Sequence, residues 1–252
     1  MTRRSWTEVA DGVLVAHSRL YATTTTIVQD EDGAALLVDP SWTPQELADT
    51  AADLAELGVR VTAGFATHAH HDHVLWHPDL GDVPRYASGD TVTLATRERQ
   101  TNLDALGPAF GPDLLALVGR LSVRDTGFRP GLELITHAAH SAGHTALWWP
   151  ERGVLLAGDM LSDREIPLAG ETGLVAYRAG LDLLLPAVRR ASVLVPGHGS
   201  PTPDPMARWD ADDAYLTALL HGRGSGDPRM QHPETGSDNR STHRSQLSLL
   251  DG

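Results

Sequence analysis

Hydrophobic and polar positions in the first 70 residues change their period twice, and each change predicts a different element. Alternating and β-branched stretches predict three early strands, at 12–16, 24–28 and 34–39. From Gln45 to Leu57 the apolar residues recur at helical spacing, with Pro44 before them and Gly58 after them, which predicts a helix. The apolar stretch Val59–Thr67 then predicts a buried strand that ends on a group of histidines.

The later part of the chain alternates between strands and helices. Residues 88–130 are irregular, with two helical segments near Asp90–Asp104 and Asp113–Arg120 that glycine and proline interrupt. Beyond them the pattern predicts strands at 132–138, 145–149, 153–156 and 193–195, and helices at 174–190 and 206–220. Early strands followed by α/β units with short loops predict an α/β fold with a layered sandwich architecture.

The composition changes near residue 222. From there to the C-terminus Gly, Ser, Asp, Arg and His dominate and apolar residues are few, which is typical of weakly ordered segments. We therefore predict one domain over residues 1–221 and a polar, weakly ordered C-terminal tail over residues 222–252. Within the domain, the irregular insertion 88–130 is interpreted as a lid or a pocket wall, because long insertions near a site often carry specificity.

The amino-acid composition excludes several kinds of chemistry. The chain has 252 residues, a formal net charge of −13 and no cysteine, and all 20 of its basic residues are arginine. An acidic chain lacks the basic surface that nucleic-acid binding requires. Without cysteine and lysine, thiolate nucleophiles, sulfur-bound metals and Schiff bases are impossible. The 13 histidines and the many carboxylates are instead ligands that suit a borderline metal ion.

The sequence also gives expectations about location and partners. No run of about 18 apolar residues is present to span a bilayer. The segment Trp6–Gly12 is polar and acidic, unlike the apolar core of a signal peptide. We therefore predict a cytoplasmic protein that acts on a small-molecule substrate, without nucleic-acid or membrane partners, and the oligomeric state is open.

The segment Thr67–His73 carries the most specific chemical signal. It has the sequence Thr-His-Ala-His-His-Asp-His and follows a predicted strand directly. Side chains of an extended chain alternate with a period of two, so His68 and His70 point to the same side. Asp72 and His73 follow at a turn that can direct them to a neighbouring position. This one loop offers two groups of metal ligands, although a surface histidine cluster or a single adventitious metal is the alternative.

Three further candidate ligands come from other strand ends. His144 lies between two predicted strands, Asp159 ends an apolar strand, and His198 follows another apolar strand in a Pro-Gly-His-Gly turn. Each alone is compatible with an ordinary loop histidine, a helix cap or a plain turn. Their recurrence at strand ends favours a common site, because functional sites of α/β sheets gather there.

The order and context of these motifs, from about Val9 to His198, resemble the metallo-β-lactamase superfamily and its glyoxalase II-like hydrolases. The resemblance implies an αββα sandwich of the metallo-β-lactamase fold with two metal ions at one edge. It also implies their ligands, which are His68, His70 and His144 for the first metal, Asp72, His73 and His198 for the second, and Asp159 as the bridge. Zinc suits this set of nitrogen and oxygen atoms, and iron or manganese accepts the same atoms.

The resemblance further implies a binuclear metal-dependent hydrolase. Two divalent ions about 3.5–4 Å apart share a water whose pKa falls toward about 7, so that a metal-bridging hydroxide attacks at neutral pH. Asp72 is the candidate catalytic residue, because a carboxylate beside that water could orient it and pass on its proton. The expected substrate is an ester, thioester or lactone of a small molecule.

Departures from the family's better-known members leave alternatives open. Penicillin-hydrolysing members often lack a carboxylate at the bridging position, which disfavours a β-lactam hydrolase here. Hydroxyacylglutathione hydrolases carry a helical C-terminal region, of which only the helix Met206–Leu220 is predicted. Lactonase relatives usually have a tyrosine shortly after the bridging aspartate, where this chain has Met160-Leu-Ser-Asp163. A mononuclear iron sulfur dioxygenase would need only part of the ligand set, and a non-catalytic binding protein would have lost ligands.

The remaining histidines are interpreted as non-ligands. His71 lies on the opposite side of the extended segment from its neighbours, so a structural role is expected. His140 and Ser141 precede His144 closely enough that they could face the site. No ligand spacing is present at His17, His77, His137, His221, His232 and His243.

Overall fold

The computed structural model describes residues 4–30, 32–127, 129–221, 226–248 and 250. The chain divides into two units, Met1–Phe128 and Arg129–Gly252. This boundary lies inside the stretch 1–221 for which the sequence predicts one domain, so the hydrophobic pattern did not indicate it. Each unit has one β-sheet and its own helices.

The first unit contains a seven-stranded sheet in the order β1-β2-β3-β4-β5-β6-β7. Its strands are Thr7–Ala10, Val13–His17, Thr24–Gln29, Ala34–Val38, Arg60–Phe65, Arg85–Ala87 and Ser122–Val123. Neighbours are antiparallel from β1 to β4 and parallel from β4 to β7. Every residue of β4 is buried, as expected for a strand covered on both faces. The four strands predicted in this region are confirmed.

The described residues of the first unit contain four α-helices, α1 to α4, at Pro44–Glu56, Gly89–Arg97, Arg99–Leu106 and Pro112–Leu117. A capping box starts α1, in which the Thr43 hydroxyl accepts from the backbone N–H of Glu46 and the Glu46 carboxylate accepts from that of Thr43. This helix confirms the prediction. Where the sequence predicts one helical segment near Asp90–Asp104, the structure has two helices that meet at Glu98, whose φ of −100° departs from helical geometry.

The second unit contains a four-stranded sheet in the order β11-β10-β9-β8. Its strands, β8 to β11, are Glu133–Thr136, Thr145–Trp149, Val154–Gly158 and Val193–Pro196. β10 pairs with β9 antiparallel and with β11 parallel, and all of its residues are buried. The carboxyl ends of β10 and β11 therefore lie side by side, which matters for the residues that follow them.

Helices α5 to α7, at Leu174–Val188, Pro205–Leu220 and Gly236–Ser248, complete the second unit. Large buried side chains of α5 and α6, such as Tyr177, Leu181 and Tyr215, join Trp148 and Leu155 of the sheet in one apolar cluster. Burial of such side chains contributes about 1.5–3 kcal/mol each to folding. Among the described residues, no helix combines the length and the apolar character needed to cross a membrane.

The C-terminal segment differs from the prediction of a weakly ordered tail. Residues Pro228–Gln231 form a 3-10 helix and α7 follows, with Asn239, His243 and Gln246 buried. The sequence pattern missed this helix because its buried positions are polar rather than apolar, so no hydrophobic stripe marks them. Residues 222–225, 249, 251 and 252 of the predicted tail lie outside the described residues.

Candidate metal centre

The histidine loop of the first unit follows β5 and holds its imidazoles close together. Nε2 of His68 lies 3.0 Å from Nδ1 of His70, so the two rings contact each other, although residues 67–70 form a bend and not an extended strand. The ring centroids of His68 and His73 are 4.2 Å apart. His68 and His73 are fully buried, whereas His70 is partly exposed. The loop therefore combines two buried imidazoles with one that is accessible to solvent.

Asp39, at the end of β4, fixes the orientation of this loop. Its Oδ1 accepts from the backbone N–H of Thr67 at 2.8 Å, and its Oδ2 accepts from the Thr67 hydroxyl at 2.7 Å. The same Oδ2 lies 3.0 Å from Nδ1 of His73. A carboxylate can only accept, so Nδ1 carries the proton and Nε2 of His73 keeps its lone pair. That Nε2 lies 3.3 Å from Oδ2 of Asp72.

Asp39 was missed by the sequence analysis, although it ends an apolar strand as Asp159 does. Its partner Thr67 also places its hydroxyl 3.0 Å from Nδ1 of His68. One buried carboxylate thus orients two imidazoles of the loop, one directly and one through a hydroxyl. Such supporting partners set the tautomer and the basicity of a metal-binding histidine.

His71 packs against an aromatic side chain of the first unit. Its ring meets the Trp42 ring edge-on at a centroid distance of 4.7 Å. Trp42 in turn lies 5.7 Å from the Tyr21 ring, and the Tyr21 side chain is half exposed. His71 therefore packs into an aromatic row beside the histidine loop.

In the second unit, Asp159 lies directly after β10 and His198 after β11. Oδ2 of Asp159 lies 3.2 Å from Nε2 of His198. Gly197 makes this approach possible, because a Cβ on Gly197 would lie 2.0 Å from Oδ1 of Asp159. Real contacts of that kind do not occur, so glycine is required here for space. The two predicted ligands are brought together.

His140 and His144 contact different parts of Asp159. Nε2 of His140 lies 3.4 Å from Oδ2 of Asp159, whereas Nε2 of His144 accepts from the backbone N–H of Asp159 at 3.0 Å. An imidazole nitrogen has one lone pair, so Nε2 of His144 cannot bind a metal while it accepts that hydrogen bond. The arrangement favours His140 over the predicted His144 as the ligand.

The reason lies in the backbone of the loop between β8 and β9. His140 adopts a φ of 63°, a left-handed conformation that is costly for a residue with a Cβ and is found mainly where function requires it. Two histidines four positions apart look alike in sequence, and only this conformation decides which ring faces Asp159. The sequence shows only that His140 lies close enough to His144 to face the same site, so it contains no signal that separates the two rings.

His137 is a buried structural histidine. Its ring stacks on His144 at a centroid distance of 4.8 Å, and its Nδ1 accepts from the backbone N–H of Ala139 at 3.2 Å. Burial, with a smaller contribution from His140, lowers the pKa of His137 to about 4. The ring is therefore neutral at physiological pH.

The insertion 88–130 contributes one contact to the histidine loop. Asn102 of α3 is buried and donates from Nδ2 to the backbone oxygen of Ala69 at 2.8 Å. This hydrogen bond holds the peptide between His68 and His70 in place. The insertion is thus a support of the loop, and its suggested role as a lid stays a prediction.

Each unit carries side chains that could serve as ligands of a divalent metal ion. The donors are imidazole nitrogens and carboxylate oxygens, which suit zinc, iron and manganese. The candidate ligand atoms lie within 4.8 Å of each other in each of three pairs, which are His68 and His70, Asp72 and His73, and His140 and Asp159. The clusters of histidine and aspartate could therefore hold metal.

Comparison with known proteins agrees with this chemistry. A family model described as the metallo-beta-lactamase superfamily matches residues 19–218. A hydroxyacylglutathione hydrolase of Synechococcus sp. (strain JA-3-3Ab) is 33% identical over 132 residues, which are 52% of this chain and 45% of that protein. The match thus spans less than half the length of this curated relative.

Solved structures share the fold at low sequence identity. A beta-lactamase domain protein from Burkholderia ambifaria superposes with a TM-score of 0.68 at 20% identity, over 98% of this chain and 90% of that chain. The metallo-beta-lactamase FIM-1 from Pseudomonas aeruginosa, in a mono-zinc form, gives 0.63 at 16% identity, over 85% and 97%. The predicted α/β fold class is confirmed. The matched region spans most of the sequence and contains every candidate ligand, and the chain belongs to the metallo-beta-lactamase superfamily.

Proposed function

We propose that the chain is a metal-dependent hydrolase that binds two zinc ions and cleaves an ester, thioester or lactone of a small molecule. Superfamily membership supports the hydrolase class, and the relative named as a hydroxyacylglutathione hydrolase supports the thioester class. The nitrogen and oxygen donor set supports zinc. A cytoplasmic location is part of the same proposal.

One observation carries the two-metal proposal. A single oxygen of Asp159, Oδ2, lies 3.4 Å from Nε2 of His140 and 3.2 Å from Nε2 of His198. A carboxylate oxygen shared between two imidazoles is the arrangement expected of a bridging ligand. In the proposed site, His68, His70 and His140 would hold one ion, Asp72, His73 and His198 would hold the other, and Asp159 would be a ligand of both.

Hydrogen bonds within the protein orient the side chains of this site before any ion binds. Asp39 accepts a hydrogen bond from Nδ1 of His73, so Nε2 is the nitrogen that would coordinate the metal. The backbone N–H of Asp159 donates to His144, which fixes the start of the loop that follows the carboxylate. The ligands are thus oriented by hydrogen bonds instead of by the metal alone.

Asp72 is the proposed catalytic residue. Its Oδ2 lies 3.3 Å from Nε2 of His73 and 3.5 Å from the Thr23 hydroxyl, which holds the carboxylate at one place in the site. When bound, the metal ions would polarise the scissile carbonyl and lower the pKa of a water toward about 7. Asp72 would orient that water and accept its proton.

The test is a substrate screen with metal analysis on the same purified sample. Thioesters, lactones, aryl esters and β-lactams are assayed for hydrolysis, and a persulfide is assayed for oxygen consumption. Two equivalents of zinc with turnover of a thioester, an ester or a lactone support the proposal. Turnover of β-lactams alone, or iron content with oxygen consumption, would replace the proposed reaction.

A further inference from the structure

The loop that follows Asp159 is the starting point. Residues 160–169 form no helix or strand, and Leu161 adopts a φ of 61°. Within this loop the Ser162 hydroxyl donates to the backbone oxygen of His198 at 2.7 Å. The loop is therefore joined to Asp159 through the chain and to His198 through a buried hydrogen bond, so its conformation affects both residues.

Arg229, in the 3-10 helix of the C-terminal segment, contacts backbone carbonyls of this loop. Its guanidinium is 5% exposed, and Nη1 donates to the backbone oxygens of Ser162 at 3.1 Å and Glu165 at 2.9 Å. The same nitrogen contacts Oδ1 of Asp212 at 2.5 Å. One planar cation thus gathers two loop carbonyls and a carboxylate.

Asp212, on α6, completes the hold on the loop. Its second oxygen, Oδ2, accepts from the backbone N–H of Leu161 at 3.1 Å. Asp212 is 1% exposed, and Asp227 adds a second carboxylate at 2.8 Å from Nη2 of Arg229. The loop backbone is therefore held at Leu161 by Asp212, which accepts a hydrogen bond. It is held at Ser162 and Glu165 by Arg229, which donates.

Helix α7 and the residue before it add three neutral side chains that contact the same loop. Nδ2 of Asn239 donates to the backbone oxygen of Arg164 at 2.7 Å, and its Oδ1 accepts from the backbone N–H of Ile166 at 3.3 Å. Oε1 of Gln246 accepts from the backbone N–H of Ala169 at 2.7 Å. The Thr235 hydroxyl, just before the helix, also donates to Arg164 at 2.6 Å. We call Arg229, Thr235, Asn239 and Gln246 the C-terminal clamp.

Stability alone is a weak explanation of the buried ion pair between Arg229 of the clamp and Asp212. Removing two charges from water is costly, and well-packed apolar side chains often stabilise a fold as well or better. Apolar side chains could not, however, satisfy the carbonyl and N–H groups of an irregular loop in the protein interior. The ionic and amide groups of the clamp are thus explained by the loop that they shape.

We infer that Arg229 is a positioning residue for the Asp159–His198 half of the metal centre, acting through Asp212 and the loop Leu161–Glu165. The inference rests on the proposed function, since it concerns the same metal site. It assigns to the C-terminal segment a role in metal affinity that the ligand motifs do not reveal.

The test compares the clamp with an ion pair elsewhere in the second unit. Arg229→Met removes every donor, Arg229→Lys keeps the charge, and Ser162→Ala removes only the hydroxyl that reaches His198. The matched control is Arg178→Met, because Arg178 of α5 pairs with Asp213 at 2.5 Å. Zinc dissociation constants from chelator competition, the absorption spectrum of the cobalt-substituted protein and urea unfolding of the metal-free protein are measured.

We expect Arg229→Met and Ser162→Ala to weaken binding of at least one zinc ion by about 10- to 100-fold and to change the cobalt spectrum. Arg229→Lys should recover part of both losses, and Arg178→Met should change neither. If Arg229→Met does not fold, Ser162→Ala and Arg229→Lys decide. Unchanged affinity and spectrum in these folded variants, with only the urea midpoint shifted, overturn the inference alone. A wild-type protein that binds no metal overturns the proposed function together with it.

Discussion

The candidate ligands of the first unit come from one short loop, whereas those of the second unit come from three separate places in the chain. The loop ligands, His68 to His73, are held by one strand end and by Asp39. His140, Asp159 and His198 depend on a left-handed residue, on a glycine and on a loop clamped by the C-terminal segment. A contiguous set of ligands is thus supported locally, whereas a dispersed set needs support from distant parts of the sequence.

The strongest test of this comparison is to remove one candidate ligand from each set. For both His70→Ala and Asp159→Ala we expect kcat/KM to fall by about 1000-fold or more, equivalent to about 4 kcal/mol of transition-state stabilisation. Both side chains are assigned to the metal centre, so neither loss should be smaller. Steady-state kinetics measure this, with circular dichroism to verify folding. Full activity in either variant would remove that residue from the site.

The assignment of His140 is tested against His144, its matched neighbour. His140→Ala should lower the zinc content from two equivalents to one and reduce kcat/KM by about 100-fold or more. His144→Ala should keep both ions and lose about 10-fold, because it removes only the hydrogen bond that Asp159 donates. Metal analysis after desalting separates the two variants. The reverse pattern would restore His144 as the ligand.

The support of the first loop is tested at Asp39. Asp39→Asn removes an acceptor from the network of Thr67 and His73, so we expect zinc affinity to fall by about 10- to 100-fold. Folding stability should also fall by about 1–3 kcal/mol, because a buried donor loses its partner. Chelator competition and urea unfolding measure the two effects. If only stability changed, Asp39 would be a structural residue without influence on the metal.

The smallest effect is expected at Glu46, away from both ligand sets. Burial alone would raise the pKa of Glu46, but hydrogen bonds from the backbone of Arg19 and Thr43 and from the side chains of Ser18 and Thr43 lower it below its ordinary value. A carboxyl with a lowered pKa stabilises the fold above its unfolded-state pKa and loses that contribution as pH falls through the folded value.

Glu46→Ala should therefore reduce the free energy of unfolding by about 1–2 kcal/mol at pH 7. The difference from wild type should shrink as pH falls below about 4, and zinc affinity at pH 7 should not change. Urea unfolding at several pH values measures the trend. A difference that grew toward acid pH would show that the folded protein raises the pKa instead.

The sequence predicted the elements that local pattern determines. The strands around Ile27 and Leu155, the helix at Pro44–Glu56 and the histidine loop all follow from periodicity, capping and ligand spacing. These features depend on residues that are neighbours in the chain, so the printed sequence contains the whole signal.

The rest depended on contacts between residues far apart in sequence. Asn239 contacts the carbonyl of Arg164, 75 positions earlier, and Gln246 contacts Ala169, 77 positions earlier. A buried amide of this kind looks like an exposed one in a sequence, which is why α7 was predicted as a polar tail. The choice between His140 and His144 likewise required a backbone angle that two adjacent histidine motifs do not encode.

The close approach at Gly197 has a consequence for comparing this protein with its homologues. The φ of Gly197 is not in the left-handed region, so a larger residue is excluded by lack of space, because its Cβ would lie 2.0 Å from Oδ1 of Asp159 and 2.9 Å from the backbone carbonyl carbon of Gly158. Turn propensity alone would therefore tolerate alanine or serine there. A homologue that carries a side chain at this place, even with all its histidines intact, is expected to hold the equivalent of Asp159 in a different position, so this glycine is a marker of the carboxylate geometry in related sequences.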